Sequence, residues 1–189
     1  MLSNSRQTRG RPRSEAVRLA ILNSVTTMLK DLDYGTLSME GIAAHAGVGK
    51  QTLYRWWPSK GALIMDAVLR IAAEIPDPDT GDVKRDLLIY FTASVEASRR
   101  SAPALRGLMV EAQLDASFSE HFRKHFIEVR RRTLLKLLER ARKSGQLRKG
   151  IVPERTADLV FGALWYRVLV RNGPLDRPFA QSMIDHLDL

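Results

Sequence analysis

The chain has no cysteine. Disulfides, thiolate-bound metals and cysteine nucleophiles are therefore excluded, although the absence says little about compartment. Histidine is scarce, with four in the chain. Only His121 and His125 have a tight spacing, and an i, i+4 pair can hold zinc on a helix. The residues between them are Phe122, Arg123 and Lys124, without the glutamate of a metalloprotease helix. A solvated face is expected there, and no metal or cofactor is assigned. There is no Gly-rich phosphate loop, no GxSxG and no acid pair beside a histidine, which argues against an enzyme. No apolar run reaches the roughly 18 residues of a membrane span. Met1–Arg13 is polar and basic, without the apolar stretch of a secretion signal. A cytoplasmic protein with no membrane partner is expected. Acidic residues are also in deficit: 21 Asp and Glu stand against 30 Lys and Arg, a formal charge of +9. That balance favours polyanionic partners, nucleic acid before anionic membrane, over a basic but inert surface.

What is present is helical periodicity. The chain has 189 residues and is 44% hydrophobic, enough to bury a core in one domain or two small ones sharing an interface. Met1–Arg13 places Arg6, Arg9, Arg11 and Arg13 around Gly10 and Pro12 with no apolar repeat, and is expected to be a flexible basic arm. From Ser14 onward, Val17, Ala20, Ile21, Val25, Met28, Leu29 and Leu32 recur at helical spacing. Ser14 is the expected cap and Gly35, after Tyr34, the left-handed stop. Two short pieces follow. Ser38 caps the first, whose apolar side is Met39, Ile42, Ala43 and Ala46. Ala46-Gly47-Val48 turns the chain. The second piece opens at Gly49 or Lys50 and breaks at Trp57-Pro58. Ser59 caps a connecting helix, and the Pro- and Gly-bearing stretch from Ile75 to Asp82 is the clearest linker. Beyond it the spacing predicts helices over 83–101, 102–115, 117–144, 153–171 and 177–187, the first two parted at Ala102-Pro103. No strand pattern competes. The expected fold is all-α: an arm over 1–13, a three-helix unit over 14–58, a connecting helix over 59–75 and a helical remainder over 76–189.

The informative stretch is Thr36 to Leu63. Two short helices joined by a Gly-bearing turn make a helix-turn-helix, whose second helix enters the major groove while the first crosses the backbone. The second helix carries hydrogen-bonding side chains. Lys50 suits guanine O6 and N7, and Gln51 suits adenine N6 and N7. The hydroxyls of Thr52 and Tyr54 suit phosphate oxygens, whereas Arg55 could meet phosphate or stay solvated. Leu53 faces inward, and Trp56 and Trp57 are expected to pack. Free N–H groups at helix starts add phosphate sites near Ser38 and Ser59-Lys60.

This stretch closely resembles the DNA-binding domain of TetR-type (TetR/AcrR) repressors. The matching residues are Leu37-Ser38-Met39, then Ile42-Ala43-Ala44-His45-Ala46-Gly47-Val48, then Thr52-Leu53-Tyr54-Arg55-Trp56-Trp57-Pro58-Ser59-Lys60 and Leu63. They span about the first third of the chain. One departure is Tyr54-Arg55-Trp56-Trp57, where Tyr-His-Tyr or Tyr-Tyr-His is commoner. The resemblance implies a sequence-specific transcriptional regulator, a repressor released by a small-molecule ligand, that binds a pseudo-palindromic operator in double-stranded DNA as a homodimer. Thr36, Ser38 and Lys60 would meet phosphate, Lys50 and Gln51 base edges, and Thr52 and Tyr54 phosphate or base methyl groups. Arg11 and Arg13 could enter a minor groove, or the arm could attract DNA only diffusely. A ligand-independent regulator or an activator of the same fold is an alternative. So is a basic helical interaction or membrane-surface protein, which would leave the second helix without a purpose.

The resemblance further implies dimerisation by the last two helices, through Phe161, Leu164, Trp165, Val168, Phe179, Met183, Ile184 and Leu187, though the same residues could serve the chain's own core. A pocket for an apolar or aromatic inducer is expected among Met65, Leu69, Phe91, Val95, Leu108, Met109, Phe122, Phe126 and Trp165. Glu111, Gln113 and Arg167 are possible polar anchors. Arg130-Arg131-Arg132, with Lys136, Arg140, Arg142 and Lys143, forms a basic stripe, read as a solvated face before an anion-attracting one.

Overall fold

The computed structural model describes residues 11–187, with side chains from Glu15 onward. Its regular elements are all helical: α1 (Arg11–Asp31), α2 (Met39–His45), α3 (Lys50–Trp56), α4 (Lys60–Ala72), α5 (Val83–Leu114), α6 (Ala116–Phe122), a π-helical turn (Arg123–Ile127), α7 (Glu128–Lys143), α8 (Pro153–Val170) and α9 (Arg177–Asp185). None of them is long and apolar enough to cross a membrane.

Two apolar cores share α5 as a spine. The first gathers Ile21, Val25, Ile42, Leu53, Leu63 and Ile64 from α1–α4 onto Ala104, Leu105 and Leu108 in the C-terminal half of α5. The second packs Leu87, Tyr90 and Phe91, from its N-terminal half, against Leu134 and Leu138 of α7, Val160 of α8 and Ile184 of α9. This sharing explains why the expected break at Ala102-Pro103 does not occur and α5 runs through Pro103. A proline inside a helix costs about 3 kcal/mol. Each large apolar side chain that the two halves bury returns about 1.5–3 kcal/mol, so packing wins.

Other expectations shift locally. α1 begins at Arg11, so Ser14 lies inside it and does not cap it; Pro12 falls in the first turn, where no intrahelical bond is lost. Residues 1–10 of the expected arm, and the side chains of Arg11 and Arg13, lie outside the described residues. α1 stops at Asp31, and Gly35 is not among the glycines with positive φ. The chain turns instead where the Thr36 N–H and hydroxyl both donate to the Asp33 carbonyl, at 3.1 and 2.7 Å. The helix expected over 117–144 contains the π turn, which re-aims Phe126 and Ile127. The linker before α5 is fixed by Arg140. Its guanidinium bonds the Pro78 carbonyl and lies 3.4 Å from Asp79 and 3.9 Å from buried Asp86. Asp86 in turn accepts from the Thr80 hydroxyl at 2.7 Å.

Candidate nucleic-acid interface

The helix-turn-helix is built from short-range bonds. Ser38 accepts from Gly41 N at 3.0 Å and starts α2. At its end, Gly47 N donates to Ala44 O (3.1 Å) and Val48 N to Ala43 O (3.0 Å). Gly47 is left-handed, φ +66°. Together these form the paired closure that a glycine after a helix permits. Gly49 then starts α3 without a side-chain cap, leaving the first amides of that helix forward. Leu53 is fully buried, and Trp57 is buried with its indole N–H donating to Asp66 at 3.0 Å. Arg18 holds Asp66 from the other side at 2.6 Å. The inward anchors orient the rest: Lys50, Gln51, Tyr54 and Arg55 are exposed along one face of α3, Tyr54 by 44%. Thr52 is half-buried beside them, and Trp56 is half-buried with its N–H enclosed and unbonded.

Two expected DNA contacts are otherwise engaged. Lys50 pairs with Glu40 of α2 and its ammonium lies 5.6 Å from the centre of the Tyr54 ring. The Glu40 bond holds the Lys50 pKa up and Lys50 holds the Glu40 carboxyl down. Sequence reasoning passed over Glu40, which lies in the first motif helix and not in the recognition helix. Lys60 turns away from solvent, donating to the Tyr34 carbonyl at 3.0 Å and stacking on its ring at 4.3 Å. In this structure Lys60 is part of a clasp, and meeting phosphate would require it to leave Tyr34. Thr36 gives its proton to Asp33 O, whereas Ser38 only accepts and keeps a proton to donate.

The clasp joins the DNA-binding unit to α5. The Tyr34 hydroxyl donates to Glu111, Arg106 lies 3.6 Å from Asp33, and burial, then Glu111, push the Tyr34 hydroxyl pKa up. A Cβ at Gly107 would overlap the Tyr34 ring, and one at Gly61 would overlap the Glu111 carboxylate. Both glycines are sites of close approach. Glu111 thus serves the clasp and lines an open cleft of about 570 Å³ beside Tyr34, Lys60 and Gly107, away from the apolar residues expected to surround an inducer.

A cavity of about 40 Å³ does lie between α4, α5, the π turn, α7 and α8. Of the nine residues expected to line a pocket, Phe126 and Trp165 do so here. Phe91 and Val95 border a separate void of about 10 Å³ between α5, α8 and α9. Met65, Leu108 and Phe122 are buried in the first core, and Leu69 and Met109 pack against it; their apolar surface is spent on neighbouring helices. The cavity beside α5 is instead completed by Ser94, Ser98, Arg130, Phe161 and Leu164, among others. Gln113 is exposed, and Arg167 stacks on Phe179 at 3.8 Å while donating to Pro174 O at 2.5 Å.

Several residues expected to face a twin chain are claimed by their own. Val168, Phe179 and Ile184 are buried within the chain, and Phe161, Leu164 and Trp165 border the cavity. Met183 and Leu187 pack partly buried against the second core. The outward side of α8 carries Leu159, Tyr166 and Val170, exposed by 74, 53 and 60%, with Gly162 open between them. Their spacing makes one stripe along the helix. Part of the basic stripe of α7 is paired: Arg131 with Asp158 (2.8 Å), Arg140 with Asp79 (3.4 Å) and Arg142 with Glu139 (2.8 Å), whereas Arg132 bonds only the Glu128 carbonyl.

Known proteins share this arrangement. The family profile "Bacterial regulatory proteins, tetR family" matches residues 21–67, and "Tetracyclin repressor-like, C-terminal domain" matches residues 77–187. The uncharacterized HTH-type transcriptional regulator YdeS of Bacillus subtilis is 32% identical over 178 residues, 93% of this chain and 90% of that one. The DNA-binding transcriptional repressor TetR of Mycobacteroides abscessus is 30% identical over 180 residues, 94% of this chain and 92% of its own. Among solved structures, the TetR family transcription regulator SCO0332 superposes with a TM-score of 0.71 at 33% identity, over 91% of this chain and 97% of that one.

Proposed function

Because this chain belongs to the TetR family of DNA-binding transcriptional regulators, we propose that it is a dimeric repressor whose α3 reads each half of a two-fold operator and whose release follows ligand entry beside α5. The observation that carries the DNA-binding assignment is the outward face of α3. Lys50, Gln51, Tyr54 and Arg55 stand exposed on a helix that Leu53 and Trp57 pin from behind. Lys50 and Gln51 are the base readers. Ser38, Thr52, Tyr54 and Arg55 contact the phosphate backbone, which positions the reader without carrying sequence information. Arg11 and Arg13, at the start of α1, add attraction to the duplex.

The exposed stripe of Leu159, Tyr166 and Val170 on α8 supports a two-fold contact. A second copy meeting the same stripe makes a self-complementary contact. Such a pair would present two copies of α3 to a duplex, whose half-sites lie about 34 Å apart. The cavity lined by α5, α7 and α8 is the site of control. A ligand shifts the protein away from operator only if it binds one spacing of the two reading heads better than the other. At about 40 Å³ the cavity is closed to anything larger than a few waters, so an effector must part α5 from α8 and thereby select another conformation.

The test is selection of bound sequences from a random DNA pool with the full chain. A two-fold motif with half-sites one helical turn apart is expected. Lys50→Ala should weaken binding to that motif by roughly ten- to hundredfold and relax the preference at one base of each half-site. Recovery of no motif, or a variant that keeps the natural chain's affinity and its base preference at every position, would overturn the assignment of α3 as the reader.

A further inference from the structure

The cavity beside α5 is mostly apolar, with three serines on the α5 wall and one charge opposite. Phe126, Phe161, Leu164 and Trp165 contribute to its walls, and Arg130 of α7 lines it half-buried. Arg130 donates through Nη1 to the Ala72 carbonyl at 2.7 Å. It forms no ion pair among the described residues, unlike its neighbours Arg131 and Arg140. On the α5 wall Ser94 is 5% exposed, and its hydroxyl is enclosed and unbonded. Ser101, farther along that wall, has already given its proton to the Ala97 carbonyl.

A guanidinium left without an anion against apolar walls is an uncompensated cost, and its planar fork matches a carboxylate bidentately. One cation balances one negative charge; a doubly charged phosphate would leave a net charge in the apolar site. Ser94, Phe161 and Leu164 border both this cavity and the smaller void toward Phe91 and Val95. A rotation of those side chains would join the two into one elongated channel along α5.

We propose that the effector is an elongated apolar molecule ending in a single carboxylate, which pairs with Arg130 and draws it off the Ala72 carbonyl. A charge-assisted bond to carboxylate outcompetes one to a neutral carbonyl. Ala72 is the last residue of α4, the helix that starts at Lys60 directly after α3. Loss of the Arg130 bond unties the end of α4 that faces the cavity, and α4 carries the change to the reading helix. This rests on the reading that a ligand releases the operator.

The experiment uses the full-length dimer and its selected operator, with decanoate and palmitate set against their primary amides in calorimetric titrations. The acids should bind at least roughly tenfold tighter than the amides, the scale of a charged over a neutral hydrogen bond, and should lower operator affinity. In Arg130→Gln the acid preference should fall to about twofold or less while amide binding stays unchanged. Arg130→Lys, which keeps the charge, should retain part of the preference and serves if the glutamine variant folds poorly. Acids and amides binding alike, acids binding the glutamine variant as tightly as the natural chain, or no acid binding, each overturns the proposal. Operator release by the amides as readily as by the acids would leave ligand control standing and sink the carboxylate. Failure to select any operator would instead sink the regulatory reading beneath it.

Discussion

The two halves of α5 live in different surroundings. Its C-terminal half is gripped by the DNA-binding unit, where Gly107 and Gly61 let Tyr34 and Glu111 approach closely and open clefts lie only at the surface. Its N-terminal half and middle face α7, α8 and α9 across two voids, with one unbonded serine hydroxyl and an arginine that has no ion pair among the described residues. Close-packed interiors transmit displacement, whereas voids lower the cost of rearrangement. The tight end is suited to moving as a body with α3, and the loose end to being reshaped by a ligand.

The strongest way to break this comparison is to remove the second copy. Leu159→Asp together with Val170→Asp places charge on the exposed stripe of α8. The double variant is expected to sediment as a monomer with little change in its own core, since both side chains point away from it. Operator affinity should fall by about a hundredfold or more, because linked half-sites gain through effective concentration. A dimer that survives these charges would place the two-fold contact elsewhere and detach the loose half from the geometry of DNA reading.

That stripe also shows where sequence reasoning stops. α2, the Gly47 turn and α3 could be read because their determinants are local: a Ser cap, a left-handed glycine, a Pro stop. α8 is apolar around most of its circumference, and sequence cannot say which apolar side meets the parent chain. Val168 and Leu159 look equally suited to a partner, yet Val168 is buried and Leu159 is not. The same limit hid the cavity. Met65 and Phe126 are alike in sequence, and only helix packing decides that one fills a core and the other borders a void. Pro103 misled for a related reason, since the packing on either side of it is long-range. Arg130 was concealed within a run of three arginines, of which Arg131 pairs with Asp158 and Arg132 is exposed.

The tight half can be tested by filling its glycine. Gly107→Ala should overlap the Tyr34 ring and cost about 1–3 kcal/mol, the usual penalty of overpacking, lowering the melting temperature by several degrees. In the loose half, Ser94→Ala should change stability by less than about 0.5 kcal/mol or raise it slightly, since it removes a buried hydroxyl that has no partner. Equal losses in the two variants, measured by thermal unfolding, would erase the distinction between the halves.

Alkaline unfolding probes the loose half from another side. Tyr90 is fully buried and donates to the Arg130 carbonyl at 2.9 Å. Burial pushes its pKa from 10.0 up to about 12. The unfolded chain therefore loses this proton first, and the folded chain holds it to higher pH. Its contribution is fully present below pH 10 and declines as pH rises to about 12, by up to about 3 kcal/mol on conversion of the shift. Tyr90→Phe should cost about 1 kcal/mol at neutral pH through the lost bond and show a shallower decline above pH 10 in denaturant midpoints. Parallel declines for the two proteins would mean that Tyr90 does not govern that limb.

The smallest effect is expected at the DNA-facing surface itself. Lys50 must leave Glu40 before it can meet a base. A guanine repays that exchange through its two acceptors, whereas other bases do so incompletely. Glu40 thus subtracts from every encounter and is best compensated by the right sequence, so it should sharpen discrimination at the expense of affinity. Glu40→Gln is expected to raise affinity for unrelated DNA by a few-fold and for the selected operator by less, a narrowing of the ratio readable in competition binding at fixed salt. Both side chains are exposed, so added salt should shrink the difference. Should the variant instead strengthen operator and unrelated DNA by the same factor, Glu40 would be only a general repulsion, and Lys50 would not be the residue through which the sequence is read.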